Sequence, residues 1–217
     1  NIKTYQTKNF KFDGDLLIDT NNVQSLVLIT QTGDFYKFSP EKIPSKVPLS
    51  IVGGFASDFG DDDTRVLTII TKQGMIKRTP VKEYDIKRSQ SVAIRLNTDD
   101  EVIQAFVTEE DASLDVVIFT DTLDYNYFNI SEASLTGRTT KGVRAIRNKD
   151  DHVTSFLFAH ELKEIMLICP TKTVPLPLDR LPKLAVGQRK SLNRTVRNVR
   201  RLQDIQIIYQ DTPNQAE

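Results

Sequence analysis

The stretch from 65 to 96 decides the fold of this chain, and it reads RVLTIITKQGMIKRTPVKEYDIKRSQSVAIRL. It opens with a β-branched run, turns on Gly74, returns through a basic segment and closes on an alternating one. Short β-branched runs around a glycine that can adopt a positive φ predict a β-hairpin. The stretch offers no acid–base pair, nucleophile or metal cage. It places lysines and arginines on a rigid scaffold, which indicates a surface for a polyanion.

Four short apolar runs of the same kind recur along the chain. They are LVLIT at 26–30, VLTIIT at 66–71, VVIFT at 116–120 and IMLIC at 165–169. Their last residues lie 41, 49 and 49 positions apart, and Gly33 closes the first hairpin as Gly74 closes the second. Runs this short and β-branched predict buried strands rather than helices. A period of roughly 40–50 residues with several strands per unit is typical of a propeller-like array, whose units bury one another's apolar faces.

The connections between the hairpins also align. The best-aligned pieces read SVAIRLNTDDEVIQAF, GVRAIRNKDDHVTSFLF and TVRNVRRLQDIQIIY. Val92 to Val143 and Val102 to Val153 are both separations of 51 residues, so the register holds over the whole piece. The repeat therefore includes the segment after each hairpin as well as the hairpin itself.

We expect one domain over residues 1–217, a length that can bury a sizeable core. Residues 1–18 are expected to form the closing strand of an upstream repeat, so that the chain starts inside a longer array. Residues 211–217 are polar and expected to fray. Proline clusters at 44–48 and 175–182 predict loops between strands.

The charges sum to zero, with 29 basic and 29 acidic residues, but they are unevenly distributed. Residues 96–137 hold ten acids and no base, 138–149 hold five bases and no acid, and 180–203 hold eight bases and no acid. Blocks of one sign are often only solvated faces. Here the basic blocks recur once per repeat, and a merely solvated face has no reason to follow that period.

Cysteine use and hydropathy narrow the class of protein. Cys169 is the single cysteine and ends an apolar run, which predicts a buried small hydrophobe and excludes a disulfide framework. No apolar stretch approaches the ~18 residues of a membrane span, and no signal-peptide pattern is present. We expect a cytoplasmic chain with no membrane partner.

Two stretches resemble a known family, the C-terminal domain of the A subunit of bacterial type IIA topoisomerases, gyrase and topoisomerase IV. They are TKQGMIKRTPVKEY at 71–84, followed by VAIRL at 92–96, and TGRTTKGVRAIRNKDDHV at 136–153. The likeness covers nearly the whole chain, strongly from 65 to 158 and weakly in the last repeat. The resemblance implies an all-β fold, a β-pinwheel of about four four-stranded blades in an incomplete disc.

The resemblance further implies that duplex DNA is bent around a basic outer rim without sequence preference. Such a domain presents DNA to a separate cleavage core for ATP-dependent strand passage, in decatenation and supercoil relaxation. It implies no cofactor in this domain, with ATP and Mg²⁺ in other parts of the holoenzyme. The implied partners are duplex DNA, the rest of the A subunit and the B subunit, in the bacterial cytoplasm at the nucleoid.

One departure from the family pattern bears on whether the chain resembles gyrase or topoisomerase IV more closely. The gyrase domain carries a glycine-rich basic heptapeptide, Gln-Arg-Arg-Gly-Gly-Lys-Gly, and this sequence has no intact copy. The nearest remnant, GQRKSLNR at 187–194, keeps Gln188 and Arg189 but loses both glycines. This favours topoisomerase IV over gyrase. A gyrase wrapping domain and a propeller-like protein-interaction module stay open as alternatives.

Cations spaced along an arc are what DNA bending requires, because affinity comes from neutralised phosphates and released counterions. The predicted DNA-binding residues are Lys72, Lys77, Arg78, Lys82, Lys87, Arg88, Arg138, Lys141, Arg144, Arg147, Arg189, Lys190, Arg194, Arg197, Arg200 and Arg201. In GVRAIRN, strand alternation puts Val143, Ala145 and Arg147 on one face and Arg144 and Ile146 on the other. At most one of these two arginines is then expected to point away from the packed face.

No catalytic or metal-binding residue is predicted. Strand transfer in this family needs a tyrosine directly after an arginine, and no tyrosine here follows one. The tyrosines at 5, 36, 84, 125, 127 and 209 are expected to pack in or on the strands. The acids at 58 and 61–63 and at 109–111 lack the ligand spacing of a calcium loop and predict acidic turns. His152 and His160 have no partner ligands in the sequence.

Overall fold

The computed structural model of this chain describes residues 16–47, 50–122, 124–147, 152–159, 162–169, 172–178, 194–195 and 204–209. Its strands are β1 (Ser25–Thr30), β2 (Asp34–Phe38), β3 (Ile51–Ser57), β4 (Val66–Thr71), β5 (Met75–Pro80), β6 (Gln90–Val92), β7 (Val102–Thr108), β8 (Asp115–Thr120), β9 (Asp124–Asn129), β10 (Val143–Arg144), β11 (Val153–Phe158), β12 (Leu162–Cys169), β13 (Lys172–Pro177), β14 (Arg194–Thr195) and β15 (Asp204–Tyr209). Short 3-10 turns lie at Pro40–Lys42, Val81–Tyr84 and Ile130–Glu132. None of the described residues belongs to a helix long and apolar enough to cross a membrane.

The four apolar runs of the sequence are the central strands β1, β4, β8 and β12, as predicted. The sheets have the strand orders β3-β1-β2-β6, β10-β5-β4-β7, β11-β8-β9-β14 and β13-β12-β15. Each central strand pairs antiparallel with both neighbours, and β4 is buried at all six positions. A strand covered on both faces has a continuous β-branched sequence, which is why these four runs stand out.

The first and third sheets take their fourth strand from chain that follows the next hairpin. Strand β6 follows the β4–β5 hairpin yet pairs with β2, and β14 follows the β12–β13 hairpin yet pairs with β9. Consecutive repeats are therefore interlocked along the chain. The repeat period seen in the sequence is thus a period of hairpins, whereas each of these two sheets combines residues of two repeats.

The first two hairpins turn on glycines in the left-handed region, as predicted. Gly33 has φ 83° and Gly74 has φ 80°. In the first and third hairpins a hydroxyl at the end of the preceding strand also stabilises the turn. Thr30 Oγ1 accepts from the Asp34 N–H at 3.1 Å, and Thr120 Oγ1 accepts from the Asp124 N–H at 3.1 Å. The third hairpin closes in this way without the glycine.

By its contacts the chain divides into two compact units, each with its own core. The first unit comprises the described residues up to Thr71, Ile76–Glu110 and Ser134–Gly142. The second comprises Lys72–Met75, Asp111–Ala133 and the described residues from Val143 onward. The first core is built from Val27, Ile29, Phe35, Phe55, Leu67, Ile69, Val81, Tyr84, Ala93, Ile94, Val102 and Ala105. The second is built from Val117, Phe119, Tyr125, Tyr127, Ala159, Ile165, Leu167, Leu176 and Leu178.

An aromatic cluster organises the core of the first unit. The Tyr84 ring lies edge-on to Phe35 at 5.3 Å and to Phe55 at 5.9 Å between ring centroids. Edge-to-face pairs of this kind contribute about 0.5–1.5 kcal/mol each beyond their buried area. Tyr84 is therefore a core residue with a polar tip, the role expected for the tyrosines of this chain.

The loop prediction at the second proline cluster is wrong in part. Strand β13 includes Pro175 and Pro177, which are paired in register with Met166 and Glu164 of β12. Strand β13 is the edge of its sheet as far as the structure describes it, and an edge strand tolerates a residue that cannot donate to a ladder. Of the strand predicted over residues 1–18, only 16–18 are described, and they do not form a strand.

The acidic stretch after β3 is a turn, as predicted, and one carboxylate stabilises it. Asp63 accepts from the Arg65 guanidinium at 2.7 Å and from Ser57 Oγ at 2.6 Å. The Arg65 side chain also donates to the Ala56 carbonyl at 2.9 Å, which ties the end of β3 to the start of β4. The hydrogen bonds from Arg65 hold the pKa of the Asp63 carboxyl at about 2, below its usual 3.8.

We expect Asp63→Asn to lower the free energy of unfolding by about 1–2 kcal/mol at pH 7. Because the folded-state pKa is depressed, this contribution is fully present above pH 4 and is lost as the pH falls towards 2. Urea unfolding of both proteins at pH 7 and pH 2.5 measures the difference between them. A difference that stayed constant across this range would contradict the assignment of the turn's stability to the ionised carboxylate.

Candidate nucleic-acid interface

Two segments that follow hairpins are held by the turn glycine of the hairpin one repeat earlier. The segment after β4–β5 bonds to Gly33, and the segment after β8–β9 bonds to Gly74. The Ala93 and Ile94 N–H groups donate to the Gly33 carbonyl at 2.8 and 3.1 Å. In the next repeat the N–H groups of Ala145 and Ile146 donate to the Gly74 carbonyl at 2.8 and 3.3 Å. The two Ala-Ile pairs are therefore structurally equivalent, which confirms that these segments belong to the repeat and places the residue after each pair at a matched position.

A buried side-chain donor completes the attachment of each segment. Lys77 Nζ donates to the Ala93 carbonyl at 2.7 Å, and Asn126 Nδ2 donates to the Ala145 carbonyl at 2.6 Å. Lys77 and Asn126 occupy the same third position of β5 and β9. The function of both side chains is thus to satisfy a carbonyl inside the fold. One repeat uses a cation for this and the other a neutral amide.

The predicted surface positions of Lys77 and Arg78 are wrong, because both side chains are buried, at 1% and 3% exposure. Burial lowers the pKa of the Lys77 ammonium from 10.5 to about 7, and repulsion from Arg138 acts in the same direction. Burial also lowers the pKa of the Arg78 guanidinium, which donates to the Glu110 carbonyl at 2.9 Å. Neither cation is placed to meet a phosphate. The sequence of β5 correctly predicted a basic strand but wrongly predicted that the side chains of Lys77 and Arg78 point towards the solvent.

The loop from 136 to 142 lies along the segment that follows β6. The Thr140 carbonyl accepts from the Arg95 N–H at 3.0 Å, and Lys141 Nζ donates to Asn97 Oδ1 at 2.8 Å. Gly142 ends the loop with φ 77°, and a Cβ there would lie 2.3 Å from the Ile76 carbonyl oxygen. The loop is therefore attached along its length, and its cations rise from a fixed backbone.

Arg138, a predicted DNA ligand, is half-buried and donates to the protein. Its Nη1 donates to Ser91 Oγ at 3.1 Å and to the Val92 carbonyl. The guanidinium also lies 5.6 Å from the centre of the Phe35 ring, within cation–π range. These contacts hold the loop against β6. The DNA role of Arg138 stays a prediction.

Arg144 and Arg147 are both exposed, so the expectation that only one of them points outward is wrong. The buried residues between them are Ala145 and Ile146, which are adjacent in the chain. Strand β10 ends at Arg144, and the two following N–H groups share one carbonyl, which bends the backbone out of the alternating pattern. A bend of this kind turns two consecutive side chains inward and leaves the arginines at either end outside.

The other predicted residues fall into three groups. Lys82 is exposed, with Nζ 2.7 Å from the Asp61 carbonyl, whereas Lys72 is half-buried. Lys87, Arg88 and Lys141 are exposed. Arg194 lies in β14, and its side chain is outside the described part of the structure. Also outside the described residues are Arg189, Lys190, Arg197, Arg200 and Arg201.

Arg95 is an exposed cation that the predicted set did not include. It follows the buried pair Ala93-Ile94 as Arg147 follows the buried pair Ala145-Ile146. The signal was present in the sequence, because the triplet Ala-Ile-Arg occurs at 93–95 and again at 145–147. The alignment of Val92 with Val143 obscures this repeat, because it uses a separation of 51 residues, whereas the structurally matched Ala93 and Ala145 are 52 residues apart.

Comparison with known proteins finds similarity over part of the chain. The family model described as "DNA gyrase C-terminal domain, beta-propeller" matches residues 66–109 and 127–160. The chain is 32% identical over 111 residues to the DNA gyrase A subunit of Haloquadratum walsbyi, covering 51% of this chain and 13% of that protein. It is 27% identical over 169 residues to the DNA gyrase A subunit of Metamycoplasma arthritidis, covering 69% of this chain and 18% of that protein. The chain thus spans less than a fifth of these curated relatives.

Solved structures agree on the fold. A topoisomerase IV C-terminal domain superposes with a TM-score of 0.71 at 19% identity, covering 87% of this chain and 65% of that one. The C-terminal domain of E. coli ParC gives a TM-score of 0.69 at 15% identity, covering 88% and 84%. A gyrase A C-terminal domain gives 0.60 at 19% identity, covering 94% and 73%. The predicted fold class, all-β with propeller-like sheets, is confirmed.

The residues matched by the family model include the strands β4, β5, β7 and β11 and both Ala-Ile-Arg segments. The relatives matched by sequence are named gyrase A, whereas the solved structures include both gyrase and topoisomerase IV domains. The chain is thus similar over part of its length to gyrase A sequences, and its fold is that of the solved C-terminal domains of gyrase A and topoisomerase IV.

Proposed function

We propose that this chain binds duplex DNA without sequence preference and bends it, as an accessory domain of a type IIA topoisomerase. The observation that supports this best is the segment from 141 to 147. It carries three exposed cations, Lys141, Arg144 and Arg147, within seven residues of an attached backbone. Cations raised from a rigid backbone neutralise phosphates at little cost in conformational entropy, and phosphate contacts need no base readout.

The acidic residues support a confined path for the DNA. The turns at 58–62 and 109–111 present exposed carboxylates, whereas the exposed cations gather after the hairpins. Like charges repel phosphates, so the acidic turns restrict the duplex to the basic segments. Bending a 20–30 base-pair site by 40–90° costs about 1–6 kcal/mol, which several phosphate contacts can offset.

Fluorescence anisotropy with labelled duplexes of ~15 and ~40 base pairs tests DNA binding, since a bent path longer than the short duplex requires the longer one. We expect tighter binding to the longer duplex, a steep loss of affinity between about 50 and 200 mM salt, and the same affinity for unrelated sequences. Fluorescence transfer between the duplex ends measures bending. A chain that binds no duplex at low salt would instead be a protein-interaction module.

We expect Lys141→Ala/Arg144→Ala to reduce the slope of log affinity against log salt by about 2, since each contacted phosphate contributes about 0.9. Lys42→Ala/Lys46→Ala removes the same charge from exposed side chains of the first repeat and serves as the matched control. Equal losses in both double variants would show that only net charge matters and would contradict this placement of the interface.

Two branches of the family remain as candidates, and different observations favour them. The lack of an intact glycine-rich heptapeptide in these 217 residues favours topoisomerase IV and local bending. The names of the curated relatives favour gyrase and full wrapping. Ligation of nicked plasmid in the presence of the chain separates them. Wrapping traps writhe and shifts the linking number in proportion to bound protein, whereas bending alone leaves it unchanged.

We further propose that the chain acts as one part of a larger enzyme. It would present DNA segments to the cleavage core of the A subunit, with ATP and Mg²⁺ used in other parts of the holoenzyme and the B subunit. The proposed location is the bacterial cytoplasm at the nucleoid. A decatenation assay with the full subunits, with and without this domain, tests whether the domain contributes to strand passage.

A further inference from the structure

Two arginines occupy one position of the repeat, in separate compact units. Residues 90–95 and 142–147 match one to one when the Ala-Ile pairs are aligned through their hydrogen bonds to the turn glycines. Of these six matched positions, only the last carries a cation in both repeats, as Arg95 and Arg147. Both side chains are exposed.

The attachment that precedes each arginine is the same in detail. A buried donor from the second hairpin strand binds the alanine carbonyl, at 2.7 Å from Lys77 and at 2.6 Å from Asn126. The turn glycine carbonyl accepts the two N–H groups, and the Ala-Ile side chains are buried at 2% exposure or less. Each exposed arginine therefore directly follows an Ala-Ile pair whose N–H groups and alanine carbonyl are all hydrogen-bonded within the fold.

The match extends beyond the arginine to the following strand. The Val102 N–H donates to the Gln31 carbonyl at 2.9 Å, and the Val153 N–H donates to the Lys72 carbonyl at 2.8 Å. Gln31 and Lys72 both lie two residues before the turn glycine. The arginine therefore lies between two repeated attachments to the same hairpin turn.

We propose that Arg95 and Arg147, which occupy the matched position of two repeats, are equivalent phosphate-binding residues and form the repeated part of the DNA interface. This inference rests on the proposed function. A backbone held before and after the side chain fixes the point at which each cation leaves its own unit. The guanidinium presents paired N–H donors that fit a phosphate, which a lysine ammonium cannot match.

The neighbouring predicted cations lack this equivalence. Arg144 is matched by Val92 and Lys77 by Asn126, so neither position is basic in both repeats. Arg138 donates to Ser91 and Val92 of β6. The interface therefore consists of a repeated arginine with additional cations that differ from one repeat to the next.

The test measures duplex affinity of the full 217-residue chain by anisotropy across a salt series. Arg95→Ala and Arg147→Ala are each expected to lower the slope of log affinity against log salt by about 0.9, by the same amount at both positions, and the double variant by about 1.8. Arg95→Lys/Arg147→Lys keeps the charge, so it should keep the slope and lose severalfold in affinity. Lys42→Ala/Lys46→Ala is the control, and thermal unfolding checks that all variants fold.

A slope loss at both arginines that exceeds the loss in the control supports the inference. An unchanged slope in the double alanine variant overturns it, as does a loss no greater than in the control. A loss at only one arginine overturns the equivalence of the two positions. If the wild-type chain itself binds no duplex, the proposed function fails together with the inference, and that outcome is distinct from the failure of the variants.

Discussion

Gly53→Ala is expected to unfold the first unit or to cost it about 4 kcal/mol or more, an exceptional loss for one methyl group. A Cβ at Gly53 of β3 would lie 2.0 Å from the Ala105 carbonyl oxygen and 2.8 Å from its Cβ. Ala105 belongs to β7 and is paired with Ile69 of the fully buried strand β4. The backbone that the methyl group would meet cannot move without opening the second sheet.

Gly137→Ala is the matched control for that substitution. Apart from its own chain neighbours, no atom lies within 4 Å of a Cβ built at Gly137, which is exposed in the loop from 136 to 142. Its effect should stay within about 0.5 kcal/mol. Urea and thermal unfolding followed by circular dichroism measure both variants. A midpoint for Gly53→Ala close to that of the control would show that β3 and β7 are farther apart than the structure places them.

Lys77→Met is expected to change how stability depends on pH. The pKa of Lys77 is about 7 in the folded chain because burial penalises the charged ammonium, against 10.5 for an ordinary lysine. Between these values the unfolded chain binds more protons than the folded chain, so the wild type gains stability as the pH rises. The wild type should gain about 3 kcal/mol relative to Lys77→Met between pH 6 and pH 9.5.

The substitution removes the charge without leaving the Ala93 carbonyl unpaired, because Tyr84 Oη also donates to it at 3.3 Å. Burial raises the pKa of Tyr84, so the measurement should stop below pH 10, where tyrosines of the unfolded chain begin to ionise. The charged groups that act on Lys77 are Arg138, which opposes its protonation, and Glu83, which favours it.

Urea unfolding at pH 6, 7, 8 and 9.5 measures the difference between wild type and Lys77→Met. Lys82→Met makes the same substitution on an exposed side chain and should alter stability little across the series. A difference between wild type and Lys77→Met that did not vary with pH would contradict a buried cation at this position. The neutral donor Asn126 at the matched position shows that the fold itself does not require the charge.

The strands and turns of this chain were predictable because their causes are local. Continuous β-branched runs marked the central strands, and a glycine able to adopt a positive φ marked the turns at Gly33 and Gly74. The spacing of these signals exposed the repeat. The paired glycines in β3 were not predictable in this way, since a Gly-Gly pair usually weakens a strand. Their cause is backbone elsewhere in the fold: a Cβ at Gly53 would meet Ala105 of β7, and a Cβ at Gly54 would lie 2.5 Å from the Val27 carbonyl oxygen of β1.

For the candidate interface, the sequence predicted which residue types take part but not where their side chains point. The basic residues were found, but the direction of each side chain was not. Lys77 points inward because a carbonyl 16 residues later needs a donor, and Arg144 and Arg147 both point outward because the chain bends between them. A rule of strand alternation applies only while the strand continues, and β10 ends at Arg144.

The amino-acid sequence by itself determined the fold class, the hairpin period and the supply of cations, because these depend on residue type and on spacing along the chain. Tertiary structure alone decided which cations are buried and which are exposed, and it fixed the register in which the repeated Ala-Ile-Arg triplet makes Arg95 the equivalent of Arg147. The physical reason is that these outcomes depend on hydrogen bonds between segments of different hairpins, such as those to the carbonyls of Gly33 and Gly74. Contacts of that range are formed by folding, and the local sequence does not show which segments they join.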